Sequence, residues 1–138
     1  MSVVLGYDES PGSVRALAAA LDVATAYGEP LVLVYGTAPP GSLGEEYIAQ
    51  RDAIAAVGEA ALRHAVEVAH EAGVPTTIEL IDQKPAQALL TAADKHDARV
   101  IVVGAWGESP LRGAMLGSTP HKLLHLSSRP VLCVPAAV

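Results

Sequence analysis

A chain of 138 residues, 51% apolar and 17% charged, is long enough to bury one core and too apolar for disorder. Its formal net charge of -6 argues against a nucleic-acid binder, which would carry a basic face. No apolar run approaches the roughly 20 residues of a membrane span.

Phe is absent, so Ala, Val, Leu and Ile must build the core. The single cysteine, Cys133, cannot form an internal disulfide, and no signal-peptide pattern opens the chain. A cytoplasmic location and one domain over residues 1–138 are expected.

The apolar run Val3-Val4-Leu5-Gly6-Tyr7 reads as a buried first strand ending at Asp8. Ser10-Pro11 opens a helix, with Ser10 as N-cap, and Val14, Leu17, Leu21 and Ala24 follow at helical spacing. Tyr27-Gly28 closes it. Leu31 to Tyr35 is a second strand, and Pro39-Pro40-Gly41 marks a loop. A long helix from about Glu45 to Ala72 offers an apolar face of Ile54, Val57, Ala61, Leu62, Ala65 and Val68.

Thr76 to Ile81 is a third strand. Pro85 opens a helix with Ala86, Leu89, Leu90 and Ala93 facing in. Val100 to Val103 is a fourth strand, Lys122 to Leu126 a short helix, and Pro130 to Val134 a fifth strand. Strands alternating with helices predict an α/β fold, a parallel sheet covered on both faces. Pro130 fits only a strand start or an edge, so the fifth strand is expected at the edge, where it invites a second copy of the chain.

The fourth strand ends in Gly104-Ala105-Trp106-Gly107, and Gly117-Ser118 follows after nine more residues. Glycines permit close backbone approach. Gly117 and Ser118 fall at a helix N-terminus, where free N–H groups and the dipole favour an anion. The Ser118 and Thr119 hydroxyls add donors. A phosphate chain is therefore expected across this loop. Asp8 reads in two ways, as a turn residue holding backbone N–H groups or as a ligand residue at a strand's carboxyl end.

The spacing Gly104, Gly107, Gly117, Ser118 resembles the universal stress protein family in its ATP-binding subgroup. The opening Val-Val-Leu-Gly-Tyr-Asp-Glu-Ser, the block Ala-Arg-Val-Ile-Val-Val-Gly and the closing Arg-Pro-Val-Leu-Cys-Val-Pro are similar to it as well. The resemblance implies an open five-stranded sheet of order 3-2-1-4-5, Rossmann-like and HUP-type. It implies ATP as ligand, with AMP and cyclic AMP as alternatives, accompanied by Mg²⁺. Asp8 would lie near adenine or ribose and Val34 against the adenine. Gly104, Gly107, Gly117, Ser118 and Thr119 would hold ribose and phosphates, and Arg112, inside the loop, would meet phosphate or solvent. A homodimer would form through Val131, Leu132, Cys133 and Val134.

The expected function is a nucleotide-responsive regulatory module with at most weak hydrolysis. Pro120, Trp106 and Glu108 depart from the family's small or hydroxyl residues. They favour the alternative of a nucleotide-free, partner-binding dimer, and a slow ATPase is a third reading. No P-loop, dinucleotide fingerprint or Gly-x-Ser-x-Gly elbow is present.

No metal site is expected. His121 and His125, four apart, can face one way but lack an evident third ligand. His64, His70 and His96 are expected on solvated helix faces, Asp94 and Asp97 at a solvated helix end, and Cys133 as an inert buried thiol.

Overall fold

The computed structural model describes residues 1–39, 44–105 and 118–136. Five strands and four helices alternate as β1 (Ser2–Gly6), α1 (Pro11–Tyr27), β2 (Leu31–Gly36), α2 (Gly44–Glu71), β3 (Thr76–Ile81), α3 (Pro85–Lys95), β4 (Ala98–Gly104), α4 (Ser118–Leu126) and β5 (Val131–Val134). The sheet order is β3-β2-β1-β4-β5, and every neighbouring pair is parallel.

The local signals work as the residues require. Ser10 caps α1, its hydroxyl accepting from the Ser13 N–H at 3.3 Å, and Pro11 needs no donor partner in the first turn. Gly28 ends the helix with φ 64°, where any Cβ would be strained. Pro130 stands just before β5, and its carbonyl accepts from the Ile101 N–H.

Period-two alternation splits the strand residues between two cores. Val3, Leu5, Leu31, Leu33 and Val102 face α1 and α2. Val4, Val32, Val34, Ile101 and Val103 face α3 and α4. The helices meet this sheet largely through alanines, among them Ala16, Ala20, Ala61 and Ala65 on one side and Ala88 and Ala92 on the other. Small side chains let each helix lie close, which replaces the bulk that the missing Phe would supply.

Two helix-face expectations fail. Val14 is 48% exposed and Val57 62% exposed. On α1 the buried stripe runs through Gly12, Ser13, Ala16, Leu17, Ala20, Leu21 and Ala24. On α2 it begins at Gly58, because the Tyr35 ring lies where a Cβ there would come within 2.5 Å.

Candidate functional site

The chain leaves β1 toward β2 on one side and returns to β4 on the other, so the order reverses at the carboxyl ends of β1 and β4. That crevice is where open α/β sheets take ligands. Its walls are the turn from Tyr7 to Ser13 and the end of β4.

Asp8 is fixed by the first turn of α1. Its Oδ1 accepts from the Ser10 N–H at 3.0 Å and from the Ser13 hydroxyl at 2.8 Å. The Asp8 N–H in turn donates to Ser13 Oγ at 3.2 Å. The bend that permits this puts Glu9 at φ 62°, in the left-handed region. Asp8 itself stays exposed. The first of its two sequence readings, the turn residue, is therefore visible, and its exposure keeps the second open.

Tyr7, just before it, points into the α1/α2 core at 3% exposure, with its hydroxyl buried and without a hydrogen-bond partner among the described residues. Burial, then the charges of Glu9 and Asp8, push its phenol above the ordinary range.

Gly104 ends β4 directly beneath α1. A Cβ there would lie 2.8 Å from the Gly12 carbonyl carbon and 3.0 Å from its oxygen. The missing side chain is thus required by the protein's own packing. Gly12 is buried in the same contact, a residue the sequence reading passed over. The available signal was a glycine inside a helix's first turns, where it weakens the helix unless a close approach demands it. Ser13 was missed too. It lies three residues after the N-cap and five after Asp8, which is the spacing at which one helical turn returns its hydroxyl to the carboxylate.

Ser118 and Thr119 open α4, Ser118 exposed and Thr119 half-buried, and Pro120 is buried behind them. The crossover from the carboxyl end of β4 to the start of β5 makes α4 antiparallel to the strands, so its N-terminus lies toward the crevice end of the sheet. Gly107, Arg112 and Gly117, with Trp106 and Glu108, lie outside the described residues.

Val34, the residue that the family resemblance sets against adenine, lies in β2. It is 2% exposed and packed in the core beneath α3. At β5, Leu132 is 38% exposed while Val131, Cys133 and Val134 are half-buried on the last strand of the sheet. Burial raises the Cys133 thiol above its ordinary value, which disfavours the thiolate.

Other side chains complete the picture. His96 is not solvated as expected. It lies half-buried with Nε2 3.1 Å from Glu79 Oε1, which Lys95 also contacts at 2.9 Å. Lys95 first, then His96, hold the Glu79 carboxyl below its usual range. Asp94 and Asp97 are exposed as expected, and both lie near Arg129. No described helix is long and apolar enough to cross a membrane.

A family model described as the universal stress protein family matches residues 1–135. The chain belongs to the universal stress protein family. A Thermus aquaticus universal stress protein, described by its position 3' of a QAH/OAS sulfhydrylase gene, is 34% identical over 135 residues, covering 96% of this chain and 97% of its own length. A crystal structure of a universal stress protein in complex with cAMP superimposes with TM-score 0.76 at 29% identity, covering 99% of this chain and 98% of that one. The universal stress protein UspA from Lactobacillus plantarum shares the fold with TM-score 0.82 at 22% identity, over 96% of this chain and 97% of its own.

Proposed function

We propose that this universal stress protein is an adenine-nucleotide-binding regulatory module. One observation carries the reading. The spacing Gly104, Gly107, Gly117, Ser118 starts at the topological switch point and ends on the first residue of α4. Main-chain N–H groups at that helix start receive phosphate oxygens, with the Ser118 and Thr119 hydroxyls beside them and Gly107, Gly117 and Arg112 contributing from the loop. The cAMP complex of a relative at 29% identity supports adenine as the base.

Asp8 fits the ribose. One of its oxygens is engaged by Ser10 and Ser13, which aims an exposed carboxylate that can accept a sugar hydroxyl. The buried Val34 side chain leaves adenine to be met by backbone and neighbouring residues. A triphosphate offers a Mg²⁺ ion several of its six oxygens, water supplying the rest, so ATP with Mg²⁺ is the leading ligand and AMP and cyclic AMP follow. The outer edge of β5 pairs with a second copy, burying Leu132.

Calorimetric titration with ATP, AMP and cyclic AMP, with and without Mg²⁺, tests the reading. Saturable heat is expected with at least one of them. It should vanish in Gly117→Val, whose side chain would take the phosphate's space. Sedimentation of the same samples should report two chains per particle. Absence of heat and of any thermal shift with all three nucleotides would overturn the nucleotide site.

A further inference from the structure

The outward face of α4 carries a second constellation that nucleotide binding leaves unused. Pro120 and Leu123 are buried and anchor the helix, while His121, Lys122, Leu124 and His125 are exposed. His121 and His125 stand one turn apart with ring centroids at 4.7 Å and planes inclined by 72°. We propose that this pair is an open, two-ligand site for a borderline divalent transition metal, with Zn²⁺, Ni²⁺ and Cu²⁺ as the class it takes.

The geometry supports chelation. A metal bonds an imidazole nitrogen at about 2.0–2.1 Å, which puts it roughly 3.2 Å from each ring centre and sets two rings at right-angle to tetrahedral geometry roughly 4.5–5.2 Å apart. The observed 4.7 Å between ring centres falls in that range; it fixes how close the rings stand, and the titration below tests whether their nitrogens converge on one ion. The helix fixes the backbone spacing, so binding has only the two side-chain rotamers left to order. Imidazole donors favour Zn²⁺, Ni²⁺ and Cu²⁺ over the oxygen-seeking Mg²⁺ and Ca²⁺.

The same helical spacing of two histidines serves zinc hydrolases, where a glutamate follows the first histidine. Here Lys122 holds that place. Among the described residues no group of three or more His, Cys, Asp or Glu is arranged to hold a metal. With no third ligand among the described residues, the pair is argued as an open site. Two histidines hold the ion, and water or a donor from another molecule fills the rest, so exchange is fast and the site reports free metal.

The test is calorimetric titration of the whole metal-free chain with NiCl₂, ZnCl₂ and MgCl₂, with thermal unfolding alongside. One Ni²⁺ or Zn²⁺ per chain is expected to bind saturably and to raise the melting temperature, since the folded helix alone presents both rings. His121→Ala and His125→Ala should each weaken binding roughly tenfold or more and remove the thermal shift. His64→Ala and His70→Ala, on exposed positions of α2, should leave it intact, and MgCl₂ should give no heat. All four histidines are exposed, so none of these changes threatens the fold. No saturable binding of Ni²⁺ or Zn²⁺ would overturn the proposal, and so would equal binding by His121→Ala and the parent chain. Neither result touches the nucleotide site, whose readout is nucleotide heat.

Discussion

The two ends of the sheet are finished in different ways. At the amino ends of the strands the chain supplies its own partners. Arg99 sets Nε 2.9 and 3.0 Å from the two carboxylate oxygens of Glu29 and Nη2 2.6 Å from Oε1, while its guanidinium lies 4.0 Å over the Tyr27 ring. Arg129 donates to the Ala98 carbonyl at 2.8 Å, and the Ser2 hydroxyl donates to the His96 carbonyl at 2.8 Å. At the carboxyl ends, glycine meets glycine at Gly12 and Gly104, and an exposed carboxylate is held by a single helical turn. The first end spends its polar groups on itself. The second keeps backbone and hydroxyls close to a crevice where a ligand can use them. On the proposed reading, a ligand is met only at the carboxyl ends, where the Gly12–Gly104 contact is packing as well, whereas the polar groups of the amino ends serve stability alone.

The largest effect is expected where the crevice end is also packing. Gly104→Val places a branched side chain within 2.8 Å of the Gly12 backbone, which cannot retreat as a flexible side chain would. Destabilisation near the top of the roughly 1–3 kcal/mol typical of overpacking is expected in urea unfolding, together with loss of nucleotide affinity. Stability close to that of the parent would show that α1 yields freely and that the glycine pair is not a constraint.

A smaller effect separates positioning from folding within the same turn. Ser13→Ala removes the hydroxyl that donates to Asp8 and accepts from its N–H, at a cost of about 1 kcal/mol. Ser10→Ala removes the N-cap oxygen at a similar cost of about 1 kcal/mol but keeps the Ser10 N–H bond to Asp8. Nucleotide titration should weaken more for Ser13→Ala than for Ser10→Ala. Equal losses would mean that Asp8 needs no aiming.

These contacts also mark how far the sequence could be read. Strand and helix order follows from apolar runs and turn residues, because burial on both faces of a parallel sheet forces continuous β-branched segments. The caps at Ser10 and Gly28 are local, so they too are legible. The faces of the helices were harder. Alanine supplies three of the seven buried positions of α1 and also appears on its exposed side, so Val14 drew the expected face toward solvent. Val57 was misread for a different reason, since the adjacent Gly58 is the residue under the Tyr35 ring and a glycine carries no apolar signal. The Gly12–Gly104 contact joins residues far apart in the chain, and no local pattern encodes it. The pairing of His96 with Glu79 is likewise tertiary. At the site, the glycine spacing and Asp8 were visible as types, but the burial of Val34 depended on which strand face α3 covers.

The smallest effect concerns the amino end and is read against pH. The hydrogen bond from Arg99 is the chief reason that the Glu29 carboxyl lies below its ordinary value, and the same pair raises the Arg99 guanidinium. A carboxyl whose folded pKa is depressed stabilises the fold above its unfolded pKa, and that contribution is lost as pH falls through the lowered folded value. In Arg99→Leu the carboxyl loses its donor, so the variant should melt below the parent at neutral pH. The gap should narrow as the medium is acidified past the glutamate range. Nucleotide affinity should be unchanged, because Arg99 lies at the start of β4 and the crevice at its far end. A gap that stays constant through acid would assign the cost to lost packing on Tyr27 instead, and altered nucleotide binding would show that the two ends of the sheet are coupled.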